Sequence, residues 1–338
     1  MAKKNNTLIY GTISLAVLII AVIGIGFYGG NTETSETEDV TIMMPFVMNS
    51  EWCAFYTAIN NGYYADEGLS VTMLYTSEGS FGSVKQVVSE NVDFGYASGD
   101  SIIMARSKDL PIVAVYQNEH SDLFSVITKK DSPITKPSDL DGKTIAIPGP
   151  GSPPDIAAKA ILKNSGVDYN NVNFVPVGAA LIPTLLGGEA DAIAGYIIHE
   201  LILQGEGVDI NVWYAKDYNA NFAGCSIITN ENTLKENPEL IKKFVRASNK
   251  GFKYAMDNPE KVVDAYIKNF NPDAEKFRDI ELEYWERLTN EVYQPDKYPL
   301  GQFNKDQWTM TQDTLFDLGI ITKKTPISEM YTDEFVPK

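Results

Sequence analysis

The sequence predicts an α/β protein of two similar lobes, each a doubly wound sheet, preceded by one N-terminal membrane helix. Three observations lead there. From residue 40 to residue 214 short β-branched apolar runs alternate with helical patterns, as in parallel sheets clothed by helices. The alternation then repeats itself. At the head of the second copy stands a strand–glycine–helix junction, GKTIAIPGPGSPPDIAAKAIL, over residues 142–162.

With 338 residues the chain can build two lobes with sizeable cores. Its 28 basic and 45 acidic side chains leave a net charge of −17, which argues against nucleic acid. Two cysteines, Cys53 and Cys225, exclude a disulfide scaffold and a metal knuckle. A single bridge between them stays open, but so distant a pair carries no pairing signal, and free buried thiols are expected.

Residues 8–28 are almost wholly apolar and uncharged. As a helix they would span roughly 31 Å, enough for a bilayer core. Lys3 and Lys4 precede them, so the positive-inside rule leaves the rest of the chain outside the cell. No small-residue cleavage site and no lipidation cysteine follows, which favours an uncleaved anchor over a signal peptide. Residues 29–38 are a polar, acidic tether.

Strands are expected at residues 41–44, 69–74, 92–97 and 112–116, with helices from 52–60, 84–88 and up to 108 between them. Residues 45–51, 76–82 and 98–101 read as loops. The second copy places strands at 143–147, 172–177, 191–194 and 210–214, with helices ending at 163, over 181–186 and over 196–203. VDFGY at 92–96 leading to PIVAVY at 111–116 is matched by ADAIAG at 190–195 leading to VDINVWY at 208–214. After a strand at 223–229 helices dominate, opened by Asn237–Pro238, Asn258–Pro259 and a capping-box pattern at Asn304–Gln307, and expected to pack on the first lobe. Facing lobes of this kind bind ligands outside the carboxyl ends of their strands. The loops at 45–51, 76–82, 98–101, 149–152 and 195–200 would then surround one cleft.

Nothing in the chain is arranged for catalysis. His120 and His199 are its only histidines and lack ligand spacing, so no metal and no cofactor is expected. There is no nucleophile elbow and no zinc-protease motif. The turn at 149–152 lacks the Lys–Ser/Thr of a P-loop and the third glycine of a dinucleotide fingerprint.

Several stretches, in this order, resemble the extracytoplasmic substrate-binding proteins of ABC importers. They are FYTAINNGYYADEGLSV (55–71), residues 92–116 with an internal ASGDS, LDGKTIAIPGPGSPPDIAAKAIL (140–162), GGEADAIAGYIIHE (187–200) and ENPELIKKFVRASNKGFKYAMDNPEKVVDA (236–265). The likeness runs from about residue 40 to 269, with a weaker trace through 308–331. Within that superfamily it is similar to the branch that binds the pyrimidine precursor of thiamine, with relatives for nitrate, sulfonates or riboflavin. The resemblance implies a two-lobed periplasmic-binding-protein-like fold of type II. One lobe would hold residues 39–117 plus 218–338, the other 118–217, joined by crossovers near 117–122 and 214–221. It also implies a monomeric solute receptor on the outer face of the cell membrane, with an ABC permease and its ATPase subunits as partners.

The same resemblance marks candidate ligand contacts. Trp52 would stack on a flat ring, and base–aromatic stacking contributes roughly 1–3 kcal/mol. Glu200 matches a glutamate that pairs with an aminopyrimidine edge, and Tyr196 lies four residues before it on the same helical face. Asn49, Glu51, Ser77 and Asp100 fall on loops of the first wall, and Gly149, Gly151 and Ser152 on the second. Tyr218 and Asn221 fall on the second crossover. The cleft loops hold no arginine and few lysines, which disfavours a nitrate or sulfonate ligand. The family's fungal pyrimidine-synthesising enzymes carry a cysteine-rich iron motif and a reactive histidine near the first loop. Here Cys53 stands alone without a nearby histidine, so a binding protein rather than an enzyme is expected.

Overall fold

Alternating patterns this regular fold in the order they are written. The computed structural model describes residues 37–46 and 49–337. The expected membrane helix at 8–28 and most of the tether lie outside the described residues, none of whose helices is long and apolar enough to cross a membrane.

The chain begins β1 (Glu38–Met44), α1 (Cys53–Asn60), β2 (Leu69–Tyr75), α2 (Gly79–Val88), β3 (Phe94–Ser98), α3 (Gly99–Arg106) and β4 (Ile112–Gln117). It continues β5 (Ser125–Lys129), β6 (Thr144–Ile147), α4 (Pro153–Asn164), β7 (Asn173–Pro176), α5 (Leu181–Leu186), β8 (Ala192–Gly195), α6 (Ile197–Gly205) and β9 (Ile210–Tyr214). The last part is β10 (Cys225–Asn230), α7 (Glu231–Glu236), α8 (Pro238–Asp257), α9 (Pro259–Asn269), α10 (Arg278–Arg287) and α11 (Lys305–Asp317).

Two five-stranded sheets result, in the orders β2-β1-β3-β10-β4 and β7-β6-β8-β5-β9. The alternation predicts parallel sheets, but both sheets are mixed. β10 runs antiparallel to β3 and β4, and β5 antiparallel to β8 and β9. Each reversed strand is the first after a crossover, so the chain enters the new sheet from the end where the other strands leave. β5 itself is absent from the sequence-based expectation, because its short run follows a polar stretch rather than a helix.

α2 and α3 also start earlier than expected, inside segments read as Ser/Gly loops. Their small residues serve close packing instead. A Cβ on Gly99 would lie 2.5 Å from the Cβ of Ala223 on the second crossover. Asp100 accordingly stands in the first turn of a helix rather than in a loop.

The C-terminal helices cover the first sheet. On α8 the apolar positions Leu240, Ile241, Phe244, Val245 and Phe252 are buried, while Asn237 caps its start by accepting from the Leu240 N–H at 3.2 Å. Phe244 stacks on Phe94 with centroids 4.0 Å apart, and Phe252 meets Phe55 edge-on at 5.1 Å. Truncating such a ring to alanine costs about 3–5 kcal/mol. Gly251 lets α8 approach α1, since a Cβ there would stand 2.5 Å from the Ala54 carbonyl oxygen. The C-terminal tail closes the exposed edge of β4, with Thr332 N–H donating to Ala114 at 3.0 Å and Ala114 N–H to Met330 at 2.9 Å.

The crossovers, residues 118–124 and 215–224, are sewn together. Asp122 accepts from the Phe222 N–H at 2.6 Å and the Phe124 N–H at 2.9 Å, and Asn221 accepts from the Ser121 hydroxyl at 2.8 Å. Asn304 caps α11 alone. The Gln307 side chain, expected to complete a capping box, instead donates to the His120 carbonyl at 2.8 Å and the Phe222 carbonyl at 2.7 Å. One side chain thus spans both crossovers, and a buried amide satisfied in this way holds them in register.

Candidate functional site

From Gln117, the last residue of β4, to Asp122 on the first crossover every residue is polar and buried. Polar groups are rarely buried without partners, so their neighbours define what the region does. Glu119 accepts from the Tyr96 hydroxyl of β3 at 2.6 Å and from the Cys225 N–H of β10 at 2.8 Å. Its carboxyl also meets Glu51, on the turn that leads into α1. Asn118 donates to the Tyr96 oxygen at 2.7 Å. Glu51 in turn accepts from the Tyr284 hydroxyl of α10 at 2.7 Å.

Five elements therefore converge on one pair of carboxyls. Burial raises Glu51 well above the usual carboxylate range, and the nearby Glu119 raises it further. Glu51 therefore favours its protonated form, in which its hydroxyl donates to Glu119. The surrounding phenols of Tyr96, Tyr196, Tyr284 and Tyr293 are pushed up by burial and then by these acids. Burial and Glu119 likewise push up the Cys225 thiol.

Two buried polar atoms here have no partner, Trp52 Nε1 and the Tyr293 hydroxyl, and so does one carboxylate oxygen of Asp100, toward Cys225 and Asp122. Trp52 is 4 % exposed, Asp100 3 % and Tyr293 0 %. A buried donor left unpaired costs roughly 1–3 kcal/mol, so a concentration of them beside one carboxyl pair marks a place built for a polar guest. The open grooves of about 660 and 550 Å³ on the surface are lined by none of these side chains. Concavity alone does not find the site.

The second lobe closes over this cluster. Tyr196, the residue before α6, lies against Phe124 at 5.2 Å and meets Tyr284 edge-on at 6.4 Å. Its extended backbone precedes the helix, so it does not share a helical face with Glu200 as the spacing suggests. Glu200 is buried and already engaged: Arg287 Nη1 stands 3.1 Å from it, the Tyr214 hydroxyl donates to it, and Gln204 donates at 3.3 Å. Arg287 belongs to α10 and also pairs with Glu291 at 2.8 Å, which takes Lys216 at 3.1 Å. These groups join α6, β9 and the second crossover to α10 and the turn after it.

The predicted contacts thus divide. Glu51, Trp52 and Tyr196 come together around Tyr96 and Glu119, while Asp100 lies toward Cys225 and Asp122. Asn49 caps the turn before α1 by accepting from the Trp52 N–H at 3.2 Å. Ser77 is exposed in the bend ahead of α2. Gly149 and Gly151 form the turn before α4, but that turn is not a free anion cradle. The Gly151 N–H donates to the buried Asp155 carboxylate at 2.7 Å, and Lys159 neutralises it at 2.7 Å. Ser152 stands at the N-cap without a capping bond, its hydroxyl buried and unpartnered. Tyr218 packs away from the carboxyl pair, its carbonyl accepting from Asn164 at 2.6 Å. Asn221 serves the hinge.

Sequence reasoning missed Tyr96, Glu119, Cys225, Tyr284 and Tyr293. One signal was available: the run QNEHSD at 117–122 follows an apolar strand and yet is a crossover rather than a surface loop. The thiols are free, as expected, with Cys53 buried and pushed up by that burial. His120 stacks on Tyr298 at 4.7 Å and is lowered by burial to about 4, while His199 accepts from the Tyr196 N–H at 3.1 Å.

Known proteins share this architecture. The periplasmic aliphatic sulphonate binding protein SsuA of Escherichia coli superposes with a TM-score of 0.71 at 14% identity, covering 86% of this chain and 91% of that one. At that identity the likeness speaks for the fold alone. The riboflavin-binding protein RibY of Chloroflexus aurantiacus is 29% identical over 89% of this chain and 86% of its own. The formylaminopyrimidine-binding protein of Halalkalibacterium halodurans is 29% identical over 86% and 89%. The NMT1/THI5-like family profile matches residues 49–262, well over half of the sequence, and the chain belongs to the NMT1/THI5-like family.

Proposed function

We propose that this protein is the solute receptor of an ABC importer and binds a small, nitrogen-rich heteroaromatic compound between its lobes. The observation that carries the reading is the Glu51–Glu119 pair, ringed by tyrosines and by buried polar atoms without partners. Carboxyls accept the N–H edges of such rings, and charge assistance strengthens those bonds. Flat aromatic walls suit a flat guest. The relatives named for riboflavin and formylaminopyrimidine support it, since both compounds are flat and rich in ring nitrogen. A sulfonate or nitrate fits this cluster poorly, because it would bring negative charge to acids.

The two histidines support a receptor rather than an enzyme. His120 is packed in the hinge and His199 is spent on the start of α6. In this reading residues 8–28 anchor the receptor at the outer face of the membrane, beside its permease, and the apolar length of that stretch supports the anchor. A thermal-shift screen of the full chain tests the ligand class. Pyrimidines or flavins should raise the melting temperature, because a ligand stabilises only the state it binds. Stabilisation by taurine or nitrate alone would sink the reading.

A further inference from the structure

The heteroaromatic reading leaves open how the cleft weighs the charge of its guest, and the geometry of the carboxyl pair answers that. Glu51 and Glu119 are 7 % and 5 % exposed. The groups that face Glu51 come from every element packed around it: Glu119 from the first crossover, Tyr96 from β3, Tyr196 ahead of α6, Cys225 from β10, and Tyr284 and Tyr293 from α10 and the turn after it. None of them is a cation. Glu200, across the cleft, has Arg287 at 3.1 Å instead. Among the described residues, positive charge at the carboxyl pair is supplied only by the proton the two acids hold between them.

An acidic cluster by itself is not a site. Here the Tyr293 hydroxyl, within electrostatic reach of both acids, lacks a partner, as does the indole Nε1 of Trp52, which follows Glu51 and packs edge-on against Tyr96 at 5.3 Å; both side chains are more than nine-tenths buried. They point to a polar ligand at that position. We propose that the Glu51–Glu119 pair is a proton-exchange specificity element, in which a cationic group on the ligand takes the place of the shared proton. The pair's proton leaves for solvent as the cation docks, and the two carboxylates then face one positive charge. A neutral ligand leaves the proton where it is. This inference rests on the heteroaromatic reading and adds to it a preference for a protonated or permanently cationic member of that class.

The sign follows from linkage. Ligand-free, Glu51 keeps the proton it shares with Glu119 to a pH well above the usual carboxylate value; with a cation bound it loses that proton at lower pH. Affinity for the cation therefore rises with pH between the two values, by about tenfold per unit for one proton released.

A matched pair of probes reads this out: aminomethyl-aminopyrimidine, whose amine is cationic, and its N-formyl derivative, which is neutral. Calorimetric titration of the full chain between about pH 6 and 8, in buffers of different ionisation enthalpy, should show proton release and rising affinity for the amine only. Glu51→Gln should flatten that profile and weaken the amine at least about tenfold more than it weakens the formyl compound, and Glu119→Gln should flatten it too. A ligand-free readout runs beside it: the wild type should lose melting temperature with rising pH relative to Glu51→Gln. Equal, pH-independent binding of both probes, or identical pH–stability curves for wild type and Glu51→Gln, overturns the exchange and leaves the receptor reading standing. Binding of neither probe overturns the pyrimidine reading and the exchange with it.

Discussion

Two glutamates look into the same cleft from opposite lobes, and the fold treats them in opposite ways. Glu200 is given a cation, Arg287, and two neutral donors; Glu51 is given a second acid. A buried carboxylate with a well-placed guanidinium is electrostatically finished and can serve as a clasp. A carboxyl paired with another carboxyl is unfinished and calls for positive charge. In the proposed reading the difference separates closure from recognition; Glu200, a ligand contact by resemblance, is already engaged by Arg287 and Tyr214.

The largest expected effect breaks the finished side. Arg287→Ala strands Glu200, and uncoupling a buried pair costs about 3–5 kcal/mol. The pair spans the lobes, so part of that cost appears as opening. Urea unfolding should register the loss and small-angle scattering a larger radius of gyration. A variant as compact as the wild type would show that α6 and α10 stay together without the clasp.

A middle-sized effect comes from pH. Burial raises both Glu51 and Asp122, the latter to about 8 against the pull of its two backbone donors. Their unfolded values lie near about 4. Groups raised on folding contribute stability that is complete below the unfolded value and is lost as pH rises through the folded one. The ligand-free protein should therefore melt progressively lower from mildly acid to mildly alkaline pH. Asp122→Asn should remove the part that extends to about pH 8, and a melting curve parallel to the wild type's would refute that assignment.

The smallest effect tests the unpartnered atoms. Trp52→Phe keeps the edge-on contact with Tyr96, 5.3 Å between centroids, and deletes a donor that has no protein partner. Stability should change by less than about 1 kcal/mol, because no internal bond is lost. Affinity for a bound pyrimidine should fall about three- to tenfold, the worth of one hydrogen bond. A large stability loss with unchanged affinity would make Trp52 a packing residue only.

Much of this was legible beforehand. Strand after strand is found where β-branched runs lie between turn residues, and Asn237–Pro238 opens α8 as its cap and first-turn proline require. The reversed strands were not legible, because direction depends on where a crossover re-enters a sheet, and no local pattern encodes it. The starts of α2 and α3 were hidden by serines and glycines that serve close packing rather than flexibility. Glu51, Trp52, Asp100 and Tyr196 could be nominated from motifs, while Tyr284 and Tyr293 could not, since α10 and the turn after it belong to a region without repeat symmetry.

The sequence by itself determined the alternation, the duplication and the acidic, arginine-poor walls of the cleft. Those follow from hydrophobic periodicity, turn chemistry and composition, all local properties of the chain. Only the tertiary structure decided which acid is answered by Arg287, that Asp155 fills the glycine turn, and that Glu51 and Glu119 share a burial site. Electrostatic partnership falls off over a few ångströms and depends on exclusion of water, and both arise only when the lobes meet.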